Sequence, residues 1–441
     1  MRKRFLAGML SATIILSLVS CGTTTDPQIQ SQNLMQELVN STAGEENPIG
    51  MTEPIDTSGG DTEDATSKAT LADYEGQYPI SDFGIRLMQQ TMKYAEKDEN
   101  VLISPLSVLL ALYMTANGAD GQTKDQMFKV LGEDLNEYLK VYQEFLPQGK
   151  MYKLNIANGI WFKDADTLVV QEEFLKANRD YFDAALYKAP FDEVTCREIN
   201  NWVKENTDGM IDGILDEIDP NAVLYLINAL SFDAKWIKPY TTHSVHENRT
   251  FTKEDGTEQK TTLMYSEEST YLEDEKATGL IKYYDNCKYA FVGLLPKEGV
   301  TVAEYLEWLT AEQLQETLES AKRTTVMAAI PKFETEYDIL LNDVLAQMGM
   351  PDAFSASGAD FSNMAESAVG NIYINRVLHK TFISVDEYGT KAGAVTAVEM
   401  NAESALMEMY QVYLNRPFVY MLIDCETNQP FFVGTLMDVE K

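Results

Sequence analysis

VDEYGTKAGAVTAVEMNAESALM, residues 385–407, is the stretch of this sequence that decides the fold. From Thr390 onward its even positions hold only uncharged, mostly small side chains, whereas every charge up to residue 405 falls on an odd position. Successive side chains of a β-strand point to opposite faces. As a strand, this segment would therefore place uncharged side chains against a core and its charges in water.

The same segment would make a poor permanent strand. It is rich in alanine and glycine, which have low strand propensity, and Gly389 permits unusual backbone angles at its start. An alanine-rich helix over residues 390–409 is the alternative that this composition also favours. A helical projection scatters Lys391, Glu399 and Glu403 without forming a polar face, so the two-residue period fits better. We predict a segment that can exist either as a loop or as a strand.

The elements on either side of this segment run from helices early in the chain to strands later. Helical spacing, and the start signal Ser104-Pro105, predict helices first, and apolar runs or alternation predict strands afterwards. The predicted helices cover residues 81–95, 106–116, 122–131, 196–206, 302–309, 311–320 and 339–349; the clearest strands cover 154–162, 222–232, 418–424 and 431–437. Residues 106–116 are apolar nearly all round and should be buried. This order predicts an α+β fold with a large, mostly antiparallel sheet system.

Residues 1–21 have the pattern of an export signal. A basic start is followed by an apolar run that is too short for a confident membrane span. The run ends in small residues around Cys21, which resembles the bacterial lipoprotein box; an ordinary signal peptide with an incidental cysteine is the alternative. We expect Cys21 to be lipidated and the protein to be exported, anchored to the bacterial cell surface or extracellular.

Residues 22–78 are predicted to form a flexible acidic linker. They are rich in Thr, Asp, Glu, Ser, Gly and Pro and offer too little apolar area to offset the entropy of ordering. Residues 32–40 have a weak helical pattern. We expect a stalk that holds a folded body, residues 79–441, away from the membrane.

Composition and motif content exclude several classes of function. The net charge is −34 at pH 7, and removing the three positive charges of the export signal gives −37, so nucleic acid is not expected as a partner. No catalytic or cofactor-binding motif is found, so neither enzyme activity nor a cofactor is expected. His243 and His246 lie in a polar loop without a third ligand and predict no metal site. The spacing of Cys196, Cys287 and Cys425 predicts no disulfide framework. Whether any two of them form a disulfide is left open.

Several short motifs follow one another in a particular order along residues 80–441. They are NVLISPLSVLLAL with Asn100, Ser104, Pro105 and Ser107; LNIANGIWF with Asn158 and Gly159; INNWVKENTDGMI with Thr207, Gly209 and Ile211; LINALSFDAKWIKPY with Asn228, Phe232, Lys235 and Trp236; VLHKTFISVDEYGT with His379 and Lys380; and NRPFVYMLI and FFVGTL with Pro417, Phe418 and Gly434. Together with GTKAGAVTA and the acidic Glu387 before it, they resemble the serpin family of protease inhibitors. Each motif alone is weak, but the ordered set is specific.

The resemblance implies a serpin-like α+β fold with three β-sheets, about nine helices and an exposed reactive-centre loop. It implies a polar cluster under the central sheet, where that sheet parts, and places Trp236 near the top, where the loop first enters. The residues of that cluster would be Ser104, Ser107, Asn158, Asn228 and His379. The hinge of the loop would comprise Glu387, Gly389, Thr390, Ala392, Ala394 and Thr396.

The function implied by the resemblance is irreversible inhibition of serine endopeptidases, with cysteine endopeptidases as a second class. The target protease cuts the loop, and the hinge then inserts as a new strand into the central sheet. We expect a monomer whose partners are the target protease and, through Cys21, a membrane. The alternative is a non-inhibitory serpin that acts as a surface binding protein.

The scissile bond is left between two positions. Counting forward from Glu387 by the family interval gives Glu403-Ser404, whereas counting back from Pro417 gives Leu406-Met407. The first would imply a glutamate-preferring protease and the second a chymotrypsin-, elastase- or subtilisin-like protease. We favour the second slightly, because large apolar side chains exposed on a loop need a reason.

Overall fold

The computed structural model describes residues 31–34, 69–146, 149, 152–219, 222–368, 370–390 and 409–440. These residues form nine α-helices, three short 3-10 helices and a set of strands. The helices are α1 (Pro79–Thr91), α2 (Pro105–Ala116), α3 (Gly121–Leu131), α4 (Asn136–Phe145), α5 (Glu172–Phe182), α6 (Glu193–Asn206), α7 (Val302–Trp308), α8 (Ala311–Glu319) and α9 (Asn342–Met348), and the 3-10 helices are Leu71–Tyr74, Asp285–Cys287 and Pro351–Phe354.

The strands run along the chain as follows. They are β1 (Gln32–Asn33), β2 (Leu102–Ile103), β3 (Tyr152–Lys163), β4 (Leu168–Val170), β5 (Ala185–Ala189), β6 (Leu224–Lys235), β7 (Val245–Thr252), β8 (Glu258–Glu273), β9 (Ala277–Tyr283), β10 (Tyr289–Pro296), β11 (Lys322–Pro331), β12 (Phe333–Leu340), β13 (Ala365–Ser367), β14 (Leu378–Val385), β15 (Gly389–Thr390), β16 (Met409–Tyr413), β17 (Phe418–Asp424) and β18 (Pro430–Leu436).

Three sheets are built from these strands. A seven-stranded sheet, called the central sheet below, has the order β1-β5-β3-β6-β15-β14-β12. A nine-stranded second sheet has the order β16-β11-β8-β9-β10-β17-β18-β2, with β7 paired to β8, and β13 pairs with β4 in a small third sheet. Parallel pairing occurs between β3 and β5 and between β11 and β16. The prediction of an α+β fold with three sheets and nine helices is confirmed.

Helix α2 fills the core beneath the central sheet. Ser104 caps it by accepting the N–H of Ser107, and Pro105 occupies the first turn, where its missing N–H costs nothing. Every residue of α2 is buried, as its all-round apolar sequence predicts, and the helix packs on β6 and β18. A second, smaller core lies under α6, where Ile199 and Val203 pack on the opposite face of β6.

Element boundaries differ from prediction in the residues just before α9. The predicted helix over 339–349 is shorter, because Ile339 and Leu340 pair with His379 and Leu378 at the end of β12. Helices α4 and α5 were not predicted, although their buried side chains recur at helical spacing: Tyr138, Leu139, Val141 and Tyr142 in α4, and Phe174, Asn178 and Phe182 in α5.

The prediction of a flexible linker over residues 22–78 is wrong for two stretches. Gln32 and Asn33 form β1, which pairs with β5 at the edge of the central sheet, and Leu34 is buried. The ring of Tyr74 packs edge-on against Tyr138, with centroids 5.1 Å apart. The edge of the central sheet offers backbone hydrogen-bond partners to β1, and Leu34 and Tyr74 contribute apolar surface. The average composition of a polar segment does not reveal such single residues. The start of the helix suggested for residues 32–40 is a strand.

The described residues contain no helix that is both long and apolar enough to cross a membrane. Residues 1–21, including Cys21, lie outside them. Cys196, Cys287 and Cys425 are free thiols.

Candidate functional site

Strand β15 lies between β6 and β14 in the central sheet. Gly389 pairs with Lys235 and Thr390 with Ala234 on β6, and Thr390 also pairs with Val385 on β14. In the hydrogen-bonded order of the described strands, β6 and β14 are connected through β15. The hinge residues Gly389 and Thr390 are therefore already inserted between β6 and β14.

The side chain of Thr390 points into the core. Thr390 is 2% exposed, and its hydroxyl oxygen lies 2.5 Å from the phenol oxygen of Tyr284. Burial raises the pKa of Tyr284, so its phenol is neutral. An even position of the segment thus faces the core, as the two-residue alternation predicts.

The turn before β15 is organised by the carboxylate of Asp386. Its Oδ1 accepts the N–H of Tyr388 at 2.8 Å and of Gly389 at 3.1 Å, and the N–H of Asp386 donates to the Gly389 carbonyl at 3.0 Å. Burial raises the pKa of Asp386. A Cβ on Gly389 would lie 2.1 Å from the carbonyl oxygen of Ala234, so the backbones approach closely enough to require glycine.

Trp236 holds this turn from the end of β6. Its indole N–H donates to the Asp386 carbonyl at 2.9 Å, and its backbone N–H donates to the Tyr388 carbonyl at 2.9 Å. The indole stacks on Tyr284 with ring centroids 4.3 Å apart. Trp236 therefore contacts the turn that leads into β15, and its role where the loop enters stays a prediction.

Two ion pairs flank the hinge. Lys332 lies 2.8 Å from Glu387 at the surface. Lys282 lies 2.7 Å from Glu268, and both side chains are buried. Burial lowers the pKa of Lys282, although Glu268 opposes the shift. The ammonium of Lys282 also lies 4.3 Å from the ring centroid of Tyr240, whose backbone N–H donates to the Glu387 carbonyl at 2.9 Å.

Ser104 joins helix α2 to two strands. Its backbone N–H donates to Nε2 of His379 at 3.0 Å, and its hydroxyl donates to the Phe431 carbonyl at 2.8 Å. His379 is 5% exposed, and burial lowers its pKa to about 4. Because Nε2 accepts a hydrogen bond, the imidazole is neutral, with its proton on Nδ1.

A chain of side-chain hydrogen bonds continues from α2 across the sheet. The Ser107 hydroxyl donates to Oδ1 of Asn228, whose amide donates to Oδ1 of Asn158 at 2.5 Å. The Asn158 amide donates to the Phe182 carbonyl at 3.2 Å. The structure thus brings Ser104, Ser107, Asn158, Asn228 and His379 together beneath the central sheet.

The remaining predicted site residues lie outside the described residues. They are Ala392, Ala394, Thr396, Glu403, Ser404, Leu406, Met407 and Cys21. The two ends of the segment are defined: Thr390 lies in the central sheet, and Met409 begins β16, which runs parallel to β11 in the second sheet.

Several residues of the site escaped sequence reasoning. Tyr284 carries no local signal, since its partner Thr390 is 106 positions away. Lys282 could have been found, because it is the one charged residue of the strand β9, whose sequence is ATGLIKY. Asp386 and Lys332 lie among many other charged residues and carry no distinctive pattern.

Comparison with known proteins identifies the class. The model of the family described as Serpin (serine protease inhibitor) matches residues 79–439, and the chain belongs to the serpin family. Members of this family are typically protease inhibitors rather than enzymes.

Individual relatives cover most of the chain. It is 32% identical over 357 residues to an uncharacterized serpin-like protein of Thermococcus kodakarensis, covering 78% of this chain and 82% of that protein. It is 29% identical over 387 residues to plasminogen activator inhibitor 1 of Bos taurus, covering 81% of this chain and 91% of that protein. The crystal structure of a thermophilic serpin, tengpin, in the native state is similar with a TM-score of 0.80 and 44% identity, covering 93% of this chain and 100% of that chain.

Proposed function

We propose that this protein inhibits serine endopeptidases, or cysteine endopeptidases, as a suicide substrate. The protease would cut the segment between Thr390 and Met409, and the freed hinge would insert between β6 and β14. The family and an inhibitor among the relatives support a protease as partner. The position of β15 between β6 and β14 supports insertion of the hinge between these two strands.

The observation that carries the proposal is the register of β15. Thr390 pairs with β6 and β14 at the same time. Continuing both antiparallel registers by six residues would align Thr396 with Asn228 on one side and His379 on the other. An inserting strand would therefore pass directly over the polar cluster. Its even face, which is uncharged throughout, would continue the buried side of Thr390.

The free energy of insertion is large enough to move a bound protein. Because Thr390 is already paired, residues 391–402 would add about 40 Å of strand at roughly 3.3 Å per residue. At about 1 kcal/mol per ladder hydrogen bond, the insertion would contribute on the order of 10 kcal/mol.

The decisive experiment is incubation with a panel of serine and cysteine proteases. We expect an SDS-stable complex with at least one of them, and mass spectrometry of the released C-terminal peptide would distinguish Glu403-Ser404 from Leu406-Met407. Cleavage by every protease without any stable complex would contradict the proposal and favour a non-inhibitory surface binding protein.

A matched pair of variants tests insertion itself. Thr396→Arg should convert the inhibitor into a substrate, because insertion in the register of β15 would bring its guanidinium to the core side of the sheet beside Asn228 and His379. Lys391→Arg places the same group on the opposite face, where the register aligns it with the partly exposed Asp233 and Ser384, and should leave the yield of complex unchanged. Circular dichroism should show that both variants fold. An unchanged yield of complex from Thr396→Arg would contradict the insertion route.

We also propose that the protein is exported, anchored through a lipid on Cys21, and monomeric. The basic start, the apolar run and the small residues around Cys21 support the export and the lipid anchor. Cys21→Ser should move the protein from the membrane fraction to the soluble fraction. Retention of the variant in the membrane fraction would argue against the lipid anchor.

A further inference from the structure

Two cysteines that are far apart in the sequence, Cys287 and Cys425, lie at the same end of the second sheet. Cys287 ends the short 3-10 helix between β9 and β10, and Cys425 directly follows β17. The pairing of β10 with β17 starts at Tyr289 and Asp424, and the backbone N–H of Cys425 extends it by donating to the Lys288 carbonyl at 3.0 Å. Because Lys288 is the neighbour of Cys287, the two cysteines are offset by one residue across the ladder.

The side chains of both cysteines face one cavity. In a regular strand, an offset of one residue would point them to opposite faces of the sheet. Cys287 has a φ of 54°, however, which is uncommon for a residue other than glycine, so the chain bends there and the alternation does not apply. Both cysteines line a cavity of about 250 Å³, whose other lining residues are Phe145, Lys288, Asp424 and Glu426.

The spacing of the two backbones suits a disulfide. Directly opposed residues of an antiparallel ladder have Cα atoms about 4.5 or 5.5 Å apart, and each step along a strand adds about 3.4 Å. A ladder of this register would therefore place the Cα atoms of Cys287 and Cys425 roughly 6 Å apart, and disulfides span about 4.4–6.8 Å. The pKa of Cys425 agrees with this proximity: burial raises it to about 12, with smaller contributions from Asp424 and from Cys287 itself.

We propose that Cys287 and Cys425 form a disulfide by exchange with a small disulfide oxidant. Cys287 is exposed and Cys425 is partly buried, so the oxidant would meet Cys287 first. The Cys287 thiolate would attack the external disulfide, bond to one of its sulfurs and release the other half as a thiolate. Cys425 would then give its proton to water, and its sulfur would displace the second half from Cys287. Two protein thiols thus become one disulfide, and the oxidant is reduced to two thiols.

This bond would change how the chain is held together, whether or not the protein inhibits proteases. It would close a covalent loop that contains the hinge and the whole segment between Thr390 and Met409. A chain cut in that segment would keep β17 and β18 covalently joined to the rest until the disulfide is reduced. The bond would also stabilise the native protein, because it restricts the unfolded chain.

The test uses the full chain with Cys21→Ser, so that only the three described thiols can react. The protein is incubated with oxidised glutathione, its remaining thiols are alkylated in denaturant, and a tryptic digest is analysed by mass spectrometry without reduction. We expect the peptide of residues 283–288 to be joined to the peptide that contains Cys425, and Cys196 to be alkylated. Oxidation should also raise the melting temperature by roughly 5 °C.

Serine variants of the three cysteines locate the bond. Cys287→Ser and Cys425→Ser should each abolish both the joined peptide and the rise in melting temperature. Cys196→Ser is the control and should leave both unchanged, because Cys196 is buried beside α6, where its thiol donates to the Leu215 carbonyl at 3.6 Å. The proposal is overturned if Cys287 is recovered only as a glutathione adduct, if Cys196 is joined to either cysteine, or if the joined peptides come only from covalent dimers on a non-reducing gel.

Discussion

The variant His379→Gln tests the polar cluster through its dependence on pH. In the native protein the His379 imidazole is buried and neutral, accepts the N–H of Ser104 at 3.0 Å, and has a pKa lowered by burial to about 4 from the ordinary 6.5. Between these two values the unfolded chain binds a proton that the native protein does not. The free energy of unfolding should therefore be fully retained above about pH 7 and should fall as the pH decreases towards 4.

The size of the effect follows from the two pKa values. Their difference corresponds to about 2 kcal/mol of lost stability at pH 5 and about 3 kcal/mol at pH 4. His379→Gln retains an acceptor for the Ser104 N–H but has no titrating group. Between about pH 7.5 and pH 5, the wild-type protein should therefore lose about 2 kcal/mol more stability than the variant.

The assay is urea unfolding followed by tryptophan fluorescence at several pH values. His243→Gln is the control, because His243 is exposed in a loop and lies outside the cluster. The reasoning is refuted if wild type and His379→Gln lose stability in parallel, or if His243→Gln removes as much of the pH dependence.

Three further predictions concern stability. Gly389→Ala should cost about 2 kcal/mol in thermal unfolding, because the new Cβ would meet the Ala234 oxygen at 2.1 Å; an unchanged melting temperature would contradict this. Lys282→Met should cost about 3 kcal/mol in urea unfolding, since Glu268 is left buried and unpaired, and adding Glu268→Leu should recover most of the loss; a double variant no more stable than the single one would count against it. Leu34→Ala should increase hydrogen exchange in β5, because the buried leucine helps to hold β1 against that strand; unchanged exchange would show that Leu34 does not contribute.

Local chemistry allowed much of the fold to be predicted. The apolar sequence of α2 and its Ser104-Pro105 start predicted both the position and the complete burial of that helix. The alternation after Gly389 predicted the core-facing side of Thr390, which the contact with Tyr284 confirms. Both are properties of neighbouring residues, so a single sequence contains the information.

The contacts between distant segments could not be predicted in the same way. Ser104 and His379 are 275 positions apart, and their proximity was implied by family resemblance rather than by any pattern in the residues. The alternation also predicted that odd positions of an inserted strand would face water. In the structure, however, Tyr225 and Ile227 on the corresponding face of β6 are buried in a cluster with Ile199 and Val203 of α6. The alternation of side chains in one strand does not indicate which other element packs over that face of the sheet.

The docking of β1 changes the geometry expected for a lipid-anchored protein. If Cys21 carries the lipid, the chain is already attached to the folded body at Ser31, whose backbone N–H donates to Glu198 at 3.1 Å, well before residue 79. A fully extended chain from Cys21 to Ser31 reaches at most roughly 35 Å. The short tether would keep the β1 edge of the central sheet close to the bilayer, so a protease approaching the segment between Thr390 and Met409 would have to reach it near the cell surface.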